Sequence, residues 1–443
     1  MQKNLKIDFN QINSKIKILN AVNNGPAGSR VHMTGSFAKY DELNIPYARL
    51  HDSAFYAGNY GGEFSVDVHR VFPNFDADEN DPASYLFAPT DSYLEDIVSV
   101  GTKIYYRLGS AIEHWHKKGT YPPKDFQKWA RICEHIIRHY TEGWANGFYH
   151  DIEYWEIWNE FDLYKADGTN PCWQGTREEF YDFYCTVSKY LKKKFPHLKI
   201  GGPASSDGKN EEVIGAFLEE VKRCGAALDF YSYHWYGVDM QSLADFMRGC
   251  AEVLERHGFG DIPIHLNEWN YSRSGEPAYS MDALKSHKGA SFVAAVMSTA
   301  QREKVDMLMY YDARPTAWNG IFASYGNVLN PFYTFLAARD IVRLKNAAKC
   351  ECDTDLYAIA STDENEAAIL YTYYNDNEES EDKTVTINVC GIKHGECIKA
   401  EFYLINENSN LELTKEEYFT SDNFSLITKM HIYDIYLIKF KNQ

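Results

Sequence analysis

Two short stretches of the 443-residue chain end an apolar run on an amide followed by an acid. Tyr154–Glu160, YWEIWNE, closes on Asn159 and Glu160, and Ile262–Asn270, IPIHLNEWN, carries Asn267 and Glu268. Such groups resist burial, so strands that stop on them stop at a cavity and not inside a core. Two carboxyl groups on one cavity can divide a reaction between them. One gives and takes a proton while the other attacks as nucleophile or activates water, which is the equipment for glycoside hydrolysis. Asn159 and Glu160 are neighbours, so both face the cavity only if the strand bends at its end.

The elements that must hold these residues alternate along the chain. Apolar runs at 15–23, 45–51, 102–109, 154–160, 198–204, 228–237, 262–269 and 305–313 read as strands. Amphipathic stretches such as REEFYDFYCTVSKYLKKKF and HKGASFVAAVMSTAQREK lie between them. Eight strand-helix units predict a closed (β/α)8 TIM barrel over 15–344, with reactive groups at the C-terminal strand ends. Glu160 then ends strand 4 and Glu268 ends strand 7, facing each other across the barrel mouth. An open doubly wound sheet competes poorly, because no G-x-G-x-x-G follows any strand. The long aromatic-rich segment 51–91 after strand 2 reads as part of the site wall. From Lys345 the texture becomes short alternating runs with acidic turns, which predicts an all-β module, a β-sandwich, over 345–443, with residues 1–14 adding a strand.

Composition narrows the partners. A net charge of -18 argues against nucleic acid and anionic membranes and suits a neutral substrate. Aromatic residues make up 15% of the chain, and Tyr and Trp suit sugars as well as cores. Nine scattered cysteines with no C-x-x-C predict reduced thiols and no zinc site. The run EHWH, Glu113–His116, lacks a matching ligand cluster, so no metal or other cofactor is expected, and His114 and Trp115 are read as sugar-binding surface after strand 3. Trp269 and Trp318 are candidates for stacking on a sugar face, and Asp312 for a hydroxyl contact or a loop cap. The start, MQKNLKIDFNQ, has no apolar h-region, which predicts a cytoplasmic protein as the sequence stands, or a periplasmic or secreted one if a leader was removed. No run is long enough for a membrane span. Oligomeric state is not legible.

WNE at the end of strand 4 and NEW at the end of strand 7 resemble glycoside hydrolase clan A. With NAVNNGPAG at strand 1, YARLHD at strand 2 and YSYHWYG at strand 6, the chain resembles family 39, which includes β-xylosidases and α-L-iduronidases. The resemblance covers roughly residues 15 to 345. It implies a retaining mechanism with Glu160 as acid/base, its pKa raised by burial and a nearby carboxylate, and Glu268 as nucleophile. It further implies that Asn159 binds the sugar 2-hydroxyl, that Arg49 keeps the nucleophile ionised, and that Tyr236 hydrogen-bonds it. His234 and His51 would line the same wall. RLHD at strand 2, the strand 3 end and the FPNFDADENDP loop depart from a plain xylosidase, so the mechanism carries over better than the sugar. Arg107, Arg273 and Arg314 are candidates for a uronic acid carboxylate. Long loops closing the pocket favour an exo-acting enzyme. The expected activity is a retaining exo-glycosidase on an oligosaccharide or glycoside, foremost a β-xylosidase. An α-L-arabinofuranosidase, a related exo-enzyme on branched glycans and a non-catalytic carbohydrate-binding barrel are the alternatives.

Overall fold

The computed structural model describes residues 2–29, 34–51, 66–113, 117–314, 320–323, 326–392 and 396–442. Eight parallel strands close into a barrel in chain order. They are Ile18–Asn23, Tyr47–Arg49, Lys103–Arg107, Tyr154–Glu156, Lys199–Ser205, Tyr231–Gly237, Ile264–Tyr271 and Met307–Tyr310, here barrel strands 1 to 8. Helices between them are set by ordinary end signals. Arg177–Lys194 starts with a reciprocal Thr176–Glu179 capping box, and Phe126–Glu142 starts on Asp125 and stops at left-handed Gly143.

Side chains alternate between the barrel interior and the helices, as strand parity requires. The interior is layered. Ala21, Tyr105, Phe230, Met307 and Met309 form an apolar floor, flanked by Tyr47 and Tyr154. His265 joins it, its ring 5.1 Å from that of Phe230, and burial pushes its imidazole down to about 3. Outward residues of the same strands, such as Ala48, Tyr106, Trp155 and Tyr233, belong to the main core against the helices.

The second unit is a nine-stranded, mostly antiparallel sheet built from Gln2–Lys15 and the eight strands within 346–442. Gln2–Lys15 pairs antiparallel with Asn346–Cys352 and parallel with Lys383–Cys390. The sheet curls over its own core of Leu5, Ile387, Phe402, Leu426 and Ile438. Its two edge strands, Asn410–Phe419 and Asn423–Met430, meet where the rings of Phe419 and Phe424 stack at 4.1 Å. Helix His287–Arg302 is buried from Lys288 to Ala300 because it has the barrel on one side and this sheet on the other. That is why its sequence, KGASFVAAVMSTA, is small and apolar all round. No described helix is long and apolar enough to cross a membrane.

Candidate active site

Above the floor lies a polar layer that the strands aim inward by parity. Glu156 of strand 4 accepts from Ser232 at 2.6 Å, from Asn267 at 2.5 Å and from Arg49 Nε at 2.7 Å. Arg49, wholly buried, also donates to Asn23 at 3.0 Å, to Asn159 Oδ1 at 2.7 Å and to Glu268 Oε2 at 3.2 Å. A guanidinium has donors only, so the Asn159 oxygen must face it and the amide Nδ2 is left to donate elsewhere. That nitrogen has no partner among the described residues.

The two acids reach the cavity by different backbone devices. In strand 7 the register shifts between Leu266 and Glu268 against strand 6, a bulge at Asn267. It turns both Asn267 and Glu268 inward and sends Trp269 outward. In strand 4 the regular ladder ends at Glu156. Trp158 and Glu160 then take left-handed backbone, φ 70° and 48°, so Asn159 and Glu160 both face the mouth. Non-glycine residues in this region cost of order 1 kcal/mol or more and cluster at functional sites. Strand 6 needs no such device: Ser232, His234 and Tyr236 follow the two-residue period and meet Glu156, Glu160 and Glu268 in turn.

Glu268 is heavily supported. Tyr236 donates to Oε1 at 2.7 Å, and His51 Nε2 and His234 Nε2 lie 3.3 and 3.6 Å from Oε2. Burial works against its charge, but the fields of His234, His51 and Arg49 outweigh it and hold the carboxyl well below its ordinary 4.5. Burial and the same carboxylate push the Tyr236 phenol up, so it remains a donor. Glu160 Oε1 meets His234 Nδ1 at 2.8 Å, and its other oxygen lies 3.7 Å from the Cys172 thiol, which burial keeps protonated. One oxygen of Glu160, one of Glu268 and a nitrogen of His234 all fall within 4.8 Å of one another. The same three groups have metal-ligand spacing, but a cation there would face the Arg49 guanidinium on the shared Glu268 oxygen.

The structure thus brings together Glu160, Glu268, Asn159, Arg49, His51, His234 and Tyr236. It separates others. Trp269 is wholly buried against Phe292 and Tyr310, at 6.1 and 5.2 Å between rings, because the bulge turns it to the helix side; it offers no face to a sugar. Asp312 is wholly buried and accepts from Asn24 and Arg314, which makes it a brace for the loop after strand 8 rather than a hydroxyl contact. The three arginines considered for a uronate are engaged elsewhere. Arg107 pairs with Asp67, Arg273 with Asp376 and Arg314 with Asp312. His114, Trp115 and Trp318 lie outside the described residues, as does the stretch 52–65 of the long segment after strand 2. Glu113, from the same EHWH run, spends its carboxylate on the backbone of Lys118, Gly119 and Thr120. Glu156, Ser232 and Cys172 were not singled out in the sequence. The first had a signal: a lone acid inside the apolar run YWEIW implies a buried partner.

Comparison with known proteins bears on the family and the fold. The profile of the glycosyl hydrolases family 39 matches residues 71–412. A β-xylosidase of Caldicellulosiruptor saccharolyticus is 27% identical over 268 residues, 54% of this chain and 49% of its own. A second β-xylosidase, from Geobacillus stearothermophilus, is 22% identical over 56% of this chain and 52% of its own. The chain spans about half the length of these curated relatives. Among solved structures, a glucosidase from Croceicoccus marinus superposes with a TM-score of 0.80 at 20% identity, covering 100% of this chain and 99% of that one. A monomeric β-xylosidase from Caulobacter crescentus CB15 gives 0.71 at 16% identity, with 99% of each chain covered. These likenesses establish the shared fold, and the profile match establishes the lineage: the chain belongs to the glycosyl hydrolases family 39.

Proposed function

We propose that this protein is a retaining exo-glycosidase that removes a terminal sugar by double displacement, with a β-D-xyloside as its foremost substrate. The observation that carries the mechanism is the closeness of the two carboxylates, whose oxygens come within 4.8 Å. Retaining enzymes hold their carboxyl groups about 5–5.5 Å apart, whereas inverting ones leave about 6.5–9.5 Å for a water. The sugar is supported by the two curated β-xylosidases.

In this reading Glu268, ionised by its cationic neighbours, attacks the anomeric carbon. Glu160 gives its proton to the departing oxygen, then takes one from the water that releases the covalent glycosyl-enzyme. Tyr236 and Arg49 hold the nucleophile in line. Asn159, its oxygen fixed by Arg49, turns its amide nitrogen to the 2-hydroxyl, a bond that tightens as charge builds on the ring. His234, between the two acids, orients Glu160.

The test is hydrolysis of aryl β-D-xyloside, α-L-arabinofuranoside, β-D-glucoside, β-D-galactoside and α-L-iduronide. Glu160→Ala should lower turnover about 10²–10⁴-fold. Glu268→Ala should be inactive, and added azide should restore turnover to a glycosyl azide of inverted anomeric configuration. Activity that survives in Glu268→Ala without azide, or that a chelator removes from wild type, would defeat the mechanism. A preference for another member of the panel would replace the xyloside.

A further inference from the structure

The nine cysteines are scattered along the sequence, but two of them meet in the fold. Cys185 lies within helix Arg177–Lys194, after barrel strand 4, and Cys224 ends helix Ala216–Cys224, after strand 5. Glu220 precedes Cys224 by one helical turn, so the two side chains share a face. The two thiol sulfurs and one carboxylate oxygen of Glu220 all lie within 4.8 Å of one another. Contacts between the helices fix this approach. The rings of Tyr184 and Phe217 meet edge to face at 4.9 Å. The hydroxyls of Tyr184 and Ser188 both donate to the Ala227 carbonyl, at 3.1 and 2.5 Å, just beyond the end of the second helix. Cys185 is thus held against Cys224 by its own neighbours in the chain.

The cluster is open to solvent at its edge. Cys185 is 4% exposed, Cys224 is half-buried, and the Glu220 side chain is 26% exposed. A single ion needs no cavity beyond the gap between three such groups. Arg223 donates to both oxygens of Glu220, at 2.7 and 2.5 Å. A carboxylate has about four lone-pair sites, so this fork leaves acceptor capacity free. Outer contacts of this kind orient ligating carboxylates at metal sites. Two thiols and a carboxylate form a donor set for zinc and cations like it, because thiolates select these over magnesium and calcium. Two thiolates and a carboxylate around a divalent cation leave one negative charge, and the Arg223 guanidinium stands beside it to offset it.

We propose that Cys185, Cys224 and Glu220 form a site for a zinc-type cation that ties these two barrel helices together, with a fourth position left to water. Each thiol gives up its proton on binding, so one cation displaces two protons. The site goes beyond the glycosidase reading and shares no residue with the acid pair of the barrel mouth.

The probe is cadmium chloride, which stands in for zinc and reports thiolate ligation directly through an ultraviolet charge-transfer band. It is titrated into the whole, reduced protein. Wild type should develop the band and saturate at one equivalent. Cys185→Ser and Cys224→Ser should each lose it. Glu220→Gln should bind roughly tenfold more weakly or worse. Cys350→Ser, which breaks the pair closest in sequence, Cys350 and Cys352, should titrate like wild type. Zinc should raise the melting temperature of wild type but not of Cys224→Ser, and magnesium should change neither. A chelator should reverse that rise and leave turnover of the glycoside panel intact, so the site and the glycosidase reading fail separately. No band in wild type, a band of equal strength in Cys224→Ser, or a band abolished by Cys350→Ser would each overturn the assignment. If Cys185→Ser does not fold, Cys224→Ser, at a half-buried helix end, still decides.

Discussion

Arg49 donates to four groups at once, Glu156, Asn23, Glu268 and Asn159, from a position with no solvent contact. Removing one partner of a buried charge network costs about 3–5 kcal/mol, because the other charges stay behind unpaired. Arg49→Met should therefore lower the melting temperature markedly. Arg49→Lys is the more telling change. It keeps a charge but replaces a planar fork by a single ammonium, which cannot hold Glu156, Glu268 and Asn159 together. We expect it to lose less stability than Arg49→Met and to lose kcat more than it raises KM. The pH profile follows from the same contacts. The folded-state pKa of Glu268 is depressed below 4.5, so the stability and the ionised carboxylate it provides are fully present above 4.5 and are lost as pH falls toward the folded value. The acid limb of kcat/KM should lie below pH 4.5 in wild type and move upward in Arg49→Lys. A profile that does not move between the two proteins would remove Arg49 from control of Glu268.

The barrel strands show what elements add to residue identity. His265 sits in the apolar floor with its Nδ1 3.3 Å from the Tyr105 hydroxyl, and its pKa falls to about 3. The unfolded chain takes up this proton below about 6.5, while the folded protein refuses it until about 3. Stability is therefore complete above 6.5 and declines by up to about 1.4 kcal/mol per pH unit on acidification through that window. Urea unfolding at pH 6.5, 5.5 and 4.5 should show the decline, and His265→Gln should flatten it; equal slopes in the two proteins would place the proton elsewhere. The positions of all eight strands were legible in the sequence, because apolar runs between amphipathic helices are a direct print of a buried parallel sheet. So were Glu160, Glu268 and the polar face of YSYHWYG, where parity alone aims His234 and Tyr236. What escaped was local backbone geometry. The bulge at Asn267 reverses the parity that would have put Trp269 in the mouth, and no residue type announces it. The left-handed turns at Trp158 and Glu160 are equally silent, although the adjacency of Asn159 and Glu160 demanded some bend there. At Asp312 the choice between a hydroxyl contact and a loop cap stayed open for a different reason: a sequence cannot show that Asn24 and Arg314 already occupy its oxygens.

At the scale of the whole molecule, the curled sheet serves the barrel as a structural wall. Ile359, Leu370, Ile405, Ile435 and Leu437 belong to the same continuous core as Phe292, Phe335 and Ile341 of the barrel helices. Polar contacts reinforce the junction. Lys288, only 3% exposed, pairs with Asp376 at 2.8 Å, and Asp376 also accepts from Tyr271 at 2.7 Å and Arg273 at 2.8 Å. Tyr374 donates to the Val238 carbonyl at 2.8 Å. Tyr271 lies three residues beyond Glu268, and Val238 two beyond Tyr236, so the sheet grips the ends of the two strands that carry the nucleophile candidate and its tyrosine. Independent domains are joined by modest polar interfaces, whereas this junction shares an apolar core. A chain cut to residues 16–344 would expose the apolar underside of helices His287–Arg302 and Asn330–Val342 and strip Lys288 of its acids Asp376 and Glu378. We expect that fragment to aggregate or to lack near-ultraviolet circular dichroism. A monodisperse, cooperatively melting fragment would show the barrel to be self-sufficient. Asp376→Ala separates the grip from the fold. It should cost about 2–4 kcal/mol of stability, given that Lys288 loses its nearest acid but keeps Glu378 at 3.2 Å. Below its melting temperature it should also lower kcat, through looser ends of strands 6 and 7, while an equally destabilising change in the far sheet, such as Ile387→Ala, should leave kcat intact. Equal kcat in both variants would reduce the sheet to a source of stability.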